Sequence, residues 1–187
     1  YRSALVLPAA VLPPWYRGER NASTAIYYLL SPGEFTALHR VRGDGVFHFY
    51  LGSPVEMLQL FPNGSHRVAV IGTDIQSGMQ PQVVVPGGVW QGCRVIGAQF
   101  ALMGTTMSPA FDARDFELGD RTALIERYPQ QSEMITALTR AKESCPDREP
   151  TARCAINGPW MPTSSSWEPA PPDSCSRINS RDAACAR

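Results

Sequence analysis

From Thr24 to about Met107 short apolar runs alternate with turn residues, the spacing of an all-β sandwich or barrel. The runs predict strands at Thr24–Leu30, Leu38–Val41, Val46–Leu51, Val55–Phe61, Arg67–Ile71, Gln82–Val85 and Arg94–Thr106. Turn chemistry falls between them at Ser31-Pro-Gly, Arg42-Gly-Asp-Gly, Pro62-Asn-Gly and Pro86-Gly-Gly. Asn63-Gly64 is the strongest hairpin signal, because both residues accept the positive φ of a tight primed turn. Side chains alternate between the two faces of a strand. If His39 points into a barrel, Val41 shares its side; beyond the turn, Gly45, Phe47 and Phe49 keep the inward parity, while His48 and Tyr50 face out. A bulge would reverse that order.

After Phe116 the period changes. Arg121–Arg127 and Gln130–Lys142 put Leu124, Ile125, Met134, Ile135 and Leu138 at helical spacing, and Pro129 divides the two stretches because its ring removes an interior hydrogen bond. Two short helices closing one end of the barrel are expected. Beyond Glu143 the periodicity is lost: the segment Cys145–Arg187 holds seven of the 17 prolines and a Ser164-Ser-Ser run. Such a tail buries too little apolar surface to offset its ordering entropy, so disorder is expected over 143–187, with Trp160 and Trp167 as the two residues able to anchor it. The expected organisation is one barrel with its helices over 1–142, followed by that tail.

At 187 residues the chain suits one domain with a sizeable core. Seventeen basic against 17 acidic side chains, with no basic stripe among aromatics, argue against nucleic acid as a partner. No run approaches the ~18 apolar residues of a membrane span, so a soluble protein without a membrane partner is expected. Cys93 lies in the patterned body and Cys145, Cys154, Cys175 and Cys185 in the tail, at spacings unlike a paired zinc knuckle. An odd cysteine total without a secretory signal points to reduced thiols and a cytoplasmic location. Tyr1–Leu12 lacks an initiator Met and a basic region, so the chain is expected to begin inside a longer reading frame. The glycosylation triplets Asn21-Ala-Ser and Asn63-Gly-Ser arise often by chance and carry little weight.

Two segments concentrate chemistry: His39-Arg-Val-Arg-Gly-Asp-Gly-Val-Phe-His-Phe-Tyr-Leu-Gly52 and Pro86-Gly-Gly-Val-Trp-Gln-Gly92. Their glycine and proline skeleton resembles the two motifs of a cupin, Gly-x5-His-x-His-x3/4-Glu-x6-Gly and Pro-x-Gly-x2-His. The first motif falls on His39, Val41, Gly45 and Gly52, the second on Pro86, Gly88 and Gln91, so only His39 remains of the usual metal ligands. Ala22-Ser-Thr-Ala-Ile-Tyr-Tyr-Leu-Leu, Gly33-Glu-Phe-Thr-Ala-Leu-His-Arg-Val, His48-Phe-Tyr-Leu-Gly, Pro81-Gln-Val-Val-Val-Pro and Ser108-Pro-Ala-Phe-Asp112 narrow the likeness. From Tyr1 to about Leu138 the chain resembles the small single-barrel cupins labelled predicted sugar epimerases. The resemblance implies an all-β fold, a single cupin jelly-roll barrel with one or two short C-terminal helices, paired as a homodimer, with a small-molecule pocket in the barrel mouth. Family members carry His-Pro-Glu-Gly-Gly shortly before a Tyr-Arg-Ser like Tyr1–Ser3, and Asp-Glu-x-Trp-His-Phe-Tyr where this chain has Asp44-Gly-Val-Phe-His-Phe-Tyr50. The family glutamate is thus replaced by Gly45 and its tryptophan by Phe47.

His39 is the candidate catalytic or ligand-facing base, since imidazole titrates near neutral pH. Gln91 offers one acceptor and two donors to a polar ligand. Phe47, Phe49, Trp90 and Phe111 are candidates for the apolar wall of the pocket, and one of Tyr27 and Tyr28 must face inward. His48 is expected to be structural and Glu34 to sit on an exposed loop. A transition metal needs three or four suitable ligands, which His39 and a weak amide do not supply; no cofactor is expected, a divalent metal at His39 being the lesser alternative. The expected partner is a small polar or sugar-like metabolite. The alternatives are a metal-independent sugar-nucleotide epimerase, with His39 as base, Tyr27 or Tyr28 as acid and Asp112 as a distant orienting carboxylate, and a structural or storage barrel without catalysis.

Overall fold

The computed structural model describes residues 1–16 and 18–140, so the tail from 143 and the last residues of the second expected helix lie outside the described residues. Among the described residues eleven strands and two α-helices follow in order: β1 (Val6–Leu7), β2 (Arg20–Asn21), β3 (Thr24–Leu30), β4 (Phe35–Arg40), β5 (Gly45–Gly52), β6 (Val55–Leu60), β7 (His66–Ile71), β8 (Gln82–Val85), β9 (Trp90–Val95), β10 (Ala101–Met107), β11 (Glu117–Leu118), α1 (Arg121–Arg127) and α2 (Ser132–Ala137). A four-stranded sheet ordered β3-β10-β5-β8 faces a five-stranded sheet ordered β11-β4-β9-β6-β7, and β1 pairs with β2 alone. The two larger sheets form the jelly roll.

The Asn63-Gly64 hairpin joins β6 to β7 in a register running from Val55↔Ile71 to Leu60↔His66. The turn is not the expected primed one on Asn63-Gly64: the Gly64 amide donates to Phe61 O at 3.0 Å, so Pro62 and Asn63 are its central residues, Gly64 follows at φ +88°, and Asn63 Oδ1 accepts from the Ser65 amide at 3.0 Å. The stretch Arg94–Thr106, expected as one strand, is two. Val95 ends β9 in the five-stranded sheet and Ala101 starts β10 in the other, with the crossing at 96–100 held by Ile96 N–H to Pro54 O and Ser53 N–H to Phe100 O, both 2.9 Å. Gly97 makes the crossing possible at φ +154°, where a Cβ would come within 2.6 Å of Ser53 Oγ.

Two apolar clusters account for most of the burial. Phe47, Val55, Met57, Ala69, Ile71, Val83, Val85, Val89, Cys93, Ala101 and Met103 pack between the sheets, joined by Tyr28 and Phe49. The outer face of the five-stranded sheet carries Leu38, Leu58, Leu60 and Trp90, which are covered by Leu124, Tyr128, Ile135 and Leu138 of the C-terminal helices. Strand β6 carries apolar residues on both faces, Val55 and Met57 toward the barrel and Leu58 and Leu60 toward the helices, because both faces are covered. Asp120 caps α1 by accepting from the Ala123 amide at 3.0 Å. Pro129 opens a 3₁₀ turn over Pro129–Gln131, and α2 then ends at Ala137, shorter than the expected Gln130–Lys142. The outer face of the four-stranded sheet leaves Tyr27, Leu29, Tyr50, Leu51 and Val84 exposed. Among the described residues no helix is long and apolar enough to cross a membrane.

Candidate functional site

A bulge in β4 decides which way His39 faces. Thr36 lies opposite Cys93 and His39 opposite Gln91, so Ala37 and Leu38 together face the single residue Gly92. Cys93 belongs to the interior cluster, and Gln91, two residues before it, shares its side. Three steps separate Thr36 from His39, so without the extra residue His39 would point outward; with it, Leu38 turns out beneath the helices and His39 faces the barrel interior beside Gln91. Gly92 gives the bulge its room: a Cβ there would lie 3.0 Å from Thr36 O, 3.1 Å from Leu38 Cγ and 3.2 Å from Leu38 Cα. The Leu38 peptide groups find partners outside the β4–β9 ladder, its amide donating to Leu138 O and its carbonyl accepting from the Gly119 amide, each at 2.8 Å.

The His39 ring is held on three sides. Nδ1 lies 2.8 Å from Ala37 O, a group that can only accept, so Nδ1 carries the proton and Nε2 the lone pair. Gln91 presents its Nε2 to that lone pair at 3.4 Å. Phe116 stacks on the ring with centroids 5.0 Å apart and planes 22° apart. Burial lowers the His39 pKa from its ordinary 6.5 by disfavouring the charged ring, partly opposed by the bond to Ala37 O, which favours the protonated form.

Gln59 extends this row. It lies opposite Gln91 on β6, is fully buried, and donates from Nε2 to Val84 O at 3.3 Å. Nothing in the sequence analysis singled it out, although it is the one uncharged polar residue in the run Val55–Phe61. Phe116 was missed as well, since its partner His39 is distant in sequence.

The remaining expected site residues divide between inside and outside. Phe47 is buried in the interior and Phe49 packs partly buried against it. Tyr28 also faces in, edge-on to Phe47 at 6.2 Å, with its hydroxyl 3.4 Å from Met103 Sδ and 3.8 Å from Cys93 Sγ; burial raises its pKa well above 10.0. Tyr27, 76% exposed, lies on the outer face beside Tyr50, because it alternates with Tyr28. Trp90 is likewise outside the barrel: Gln91 faces in, so Trp90 joins the cluster under the helices, with the Arg40 guanidinium 4.6 Å above its ring. Phe111 meets Phe116 edge-on at 6.5 Å. Asp112 is taken up by Arg114, with oxygens 2.9 and 2.7 Å from the guanidinium nitrogens, and lies 3.7 Å from Arg20; the Arg114 bonds hold its carboxyl far below the usual range. His48 bonds Thr106 Oγ1 at 3.2 Å.

A cupin metal would be held at the positions occupied here by His39, Val41, Gly45 and Gln91. Both ring nitrogens of His39 already have partners, and among the described residues no three His, Cys, Asp or Glu side chains converge, so the residues present do not fit a metal centre. Gly45 is not required by packing, since a Cβ would meet only Phe47 Cε2 at an ordinary 3.7 Å. A cleft of about 380 Å³ reaching Phe116 is lined also by Arg40, Arg42, Arg114, Asp115 and Glu117, where Arg40–Glu117, Arg42–Asp115 and Arg114–Asp112 pairs balance the charges.

Two facing sheets with a histidine and an amide turned into one end define a single-barrel cupin with an altered ligand set. The family profile of the cupin superfamily (DUF985) matches residues 1–119, and the chain belongs to that family. It is 29% identical over 100 residues to Uncharacterized protein YML079W from Saccharomyces cerevisiae (strain ATCC 204508 / S288c), a match covering 51% of this chain and 50% of that protein. The chain thus spans about half the length of that curated relative. Among solved structures, protein SO0799 from Shewanella oneidensis is similar at 32% identity and TM-score 0.66, covering 76% of this chain and 84% of that one. A hypothetical protein from Leishmania major is similar at 27% identity and TM-score 0.67, covering 75% of this chain and 86% of that one.

Proposed function

We propose that the protein binds a small polar, sugar-like metabolite inside the barrel mouth at His39 and Gln91. The observation that carries this reading is their convergence at 3.4 Å on the inward face, with Phe116 forming a flat apolar wall against the imidazole. The Gln91 carboxamide keeps an oxygen without a partner among the described residues for a polar ligand, while the imidazole, with both nitrogens engaged and one face against Phe116, holds that amide in place.

Binding is favoured over turnover. An epimerase needs an acid opposite its base, but Tyr27 faces solvent and the Tyr28 hydroxyl is engaged by sulfur atoms with its pKa raised. The base itself is oriented by a backbone carbonyl, not a carboxylate, and burial makes it a weaker proton acceptor than free imidazole.

The test is thermal-shift screening of the full chain against nucleotide sugars, keto-sugars, organic acids and polyols. A ligand of the folded form at 100 times its dissociation constant adds about 2.7 kcal/mol, or roughly 5–11 °C in Tm for a chain of this size. That shift should vanish in His39→Ala. If no compound in any class moves the melting curve, the binding reading is refuted.

A further inference from the structure

The orientation of each buried amide in the row is settled by its neighbour. Ala37 O can only accept, so His39 donates from Nδ1 and its Nε2 must accept. Gln91 therefore turns its N–H toward His39, which leaves Oε1 on the other side of the carboxamide. Val84 O can also only accept, so Gln59 turns its N–H toward β8 and its own Oε1 away. Among the described residues neither oxygen has a hydrogen-bond partner, although Gln59 is 0% and Gln91 4% exposed. A buried acceptor left unpaired is unfavourable, and two from cross-strand neighbours on the same face form a shared demand for donors.

We infer that Gln59 and Gln91 form an acceptor pair that selects a ligand presenting two adjacent O–H donors and no negative charge to it, the pattern of a vicinal diol on an uncharged sugar or cyclitol. This rests on the reading of the barrel mouth as a ligand site and narrows it. Two carbonyl oxygens facing an anion would repel it, whereas each hydroxyl of a diol can donate to one oxygen. On the inner side of the row lie Met57, whose Sδ is 3.7 Å from Gln59 Nε2, and its cross-strand neighbour Cys93, neither of which supplies a donor to the two oxygens. Gln59 is then a binding residue, and its contact to Val84 O fixes which atom it offers.

The test uses myo-inositol and D-glucose as neutral probes and D-glucuronate as an anionic one, measured by calorimetry and thermal shift on the full chain. The neutral probes should bind more tightly than glucuronate. Gln59→Met keeps the side-chain length and removes the acceptor, so it should weaken binding of the neutral probes roughly three- to tenfold, the loss of one neutral hydrogen bond. Gln91→Met supplies the same comparison should Gln59→Met fail to fold. Equal affinity in the folded Met variants, tighter binding of glucuronate, or a single water bridging the two oxygens that persists in probe-soaked crystals would each overturn the inference. In those cases the ligand site itself still stands if some other compound stabilises the wild type and not His39→Ala. Silence from every probe and every compound of the wider screen removes both.

Discussion

Gly92→Ala tests the link from one backbone position to the orientation of the site. The added methyl would lie 3.0 Å from Thr36 O and 3.2 Å from Leu38 Cα, both backbone atoms, and 3.1 Å from Leu38 Cγ. Ordinary contact begins near 3.4 Å, so β4 must retreat by a few tenths of an ångström. It cannot retreat freely, because Leu38 is fully buried under the helices and bonded through both its peptide groups. Overpacking of this kind is worth about 1–3 kcal/mol, which for a chain of this length lowers Tm by roughly 2–12 °C. The same displacement loosens the His39–Gln91 contact, already long at 3.4 Å, so any ligand-induced stabilisation should fall more than stability alone explains. Calorimetric melts with and without ligand measure both. A variant that melts within about 1 °C of wild type and responds fully to ligand would refute the claim that this glycine makes room for the bulge.

Tyr128→Phe removes a fully buried hydroxyl that donates to Phe61 O at 2.7 Å and should lose about 1 kcal/mol in urea unfolding; no change would show that water replaces the hydroxyl. Cys93 is buried, with its pKa raised by burial, so a thiol reagent should leave it untouched in the folded barrel and label it on unfolding, whereas rapid labelling under native conditions would contradict the packing. The folded chain binds the His39 proton less tightly than the unfolded chain. Stability from this group is therefore complete above about pH 6.5 and is lost as pH falls through the depressed folded-state value; His39→Gln should flatten that acid limb, and a steeper one would reverse the sign.

The barrel was legible because its strands alternate and its turns carry Gly, Pro and Asn where the backbone demands them. The joint at Gly97 escaped because apolar residues continue on both sides of it, and periodicity does not register a change of sheet. The His39–Gln91 contact was foreshadowed by motif position. The placement of Trp90 was available from parity alone, since Gln91 and its predecessor on one strand cannot both face in. Gln59 was harder. Only the structure reveals that β6 is covered on both faces, and only then does a lone amide in an apolar strand become a buried polar group in need of explanation. Alternation alone does not say which of Tyr27 and Tyr28 faces in; pairing of β3 with β10 does, by setting Tyr28 against Met103 and Tyr27 against Gly104.

The family match stops at residue 119, yet the amide of Leu38 is bound to Leu138 O. Cutting the chain at that alignment border would strip the lid from Leu38, Leu58 and Trp90 and leave that amide without its acceptor, one residue before the imidazole. A fragment trimmed by homology alone would keep every motif residue and still lose the brace that aims them. Expression fragments and grafted chimeras of this barrel therefore need to run at least through Thr139, whose hydroxyl donates to Ile135 O at 2.6 Å and completes the clasp.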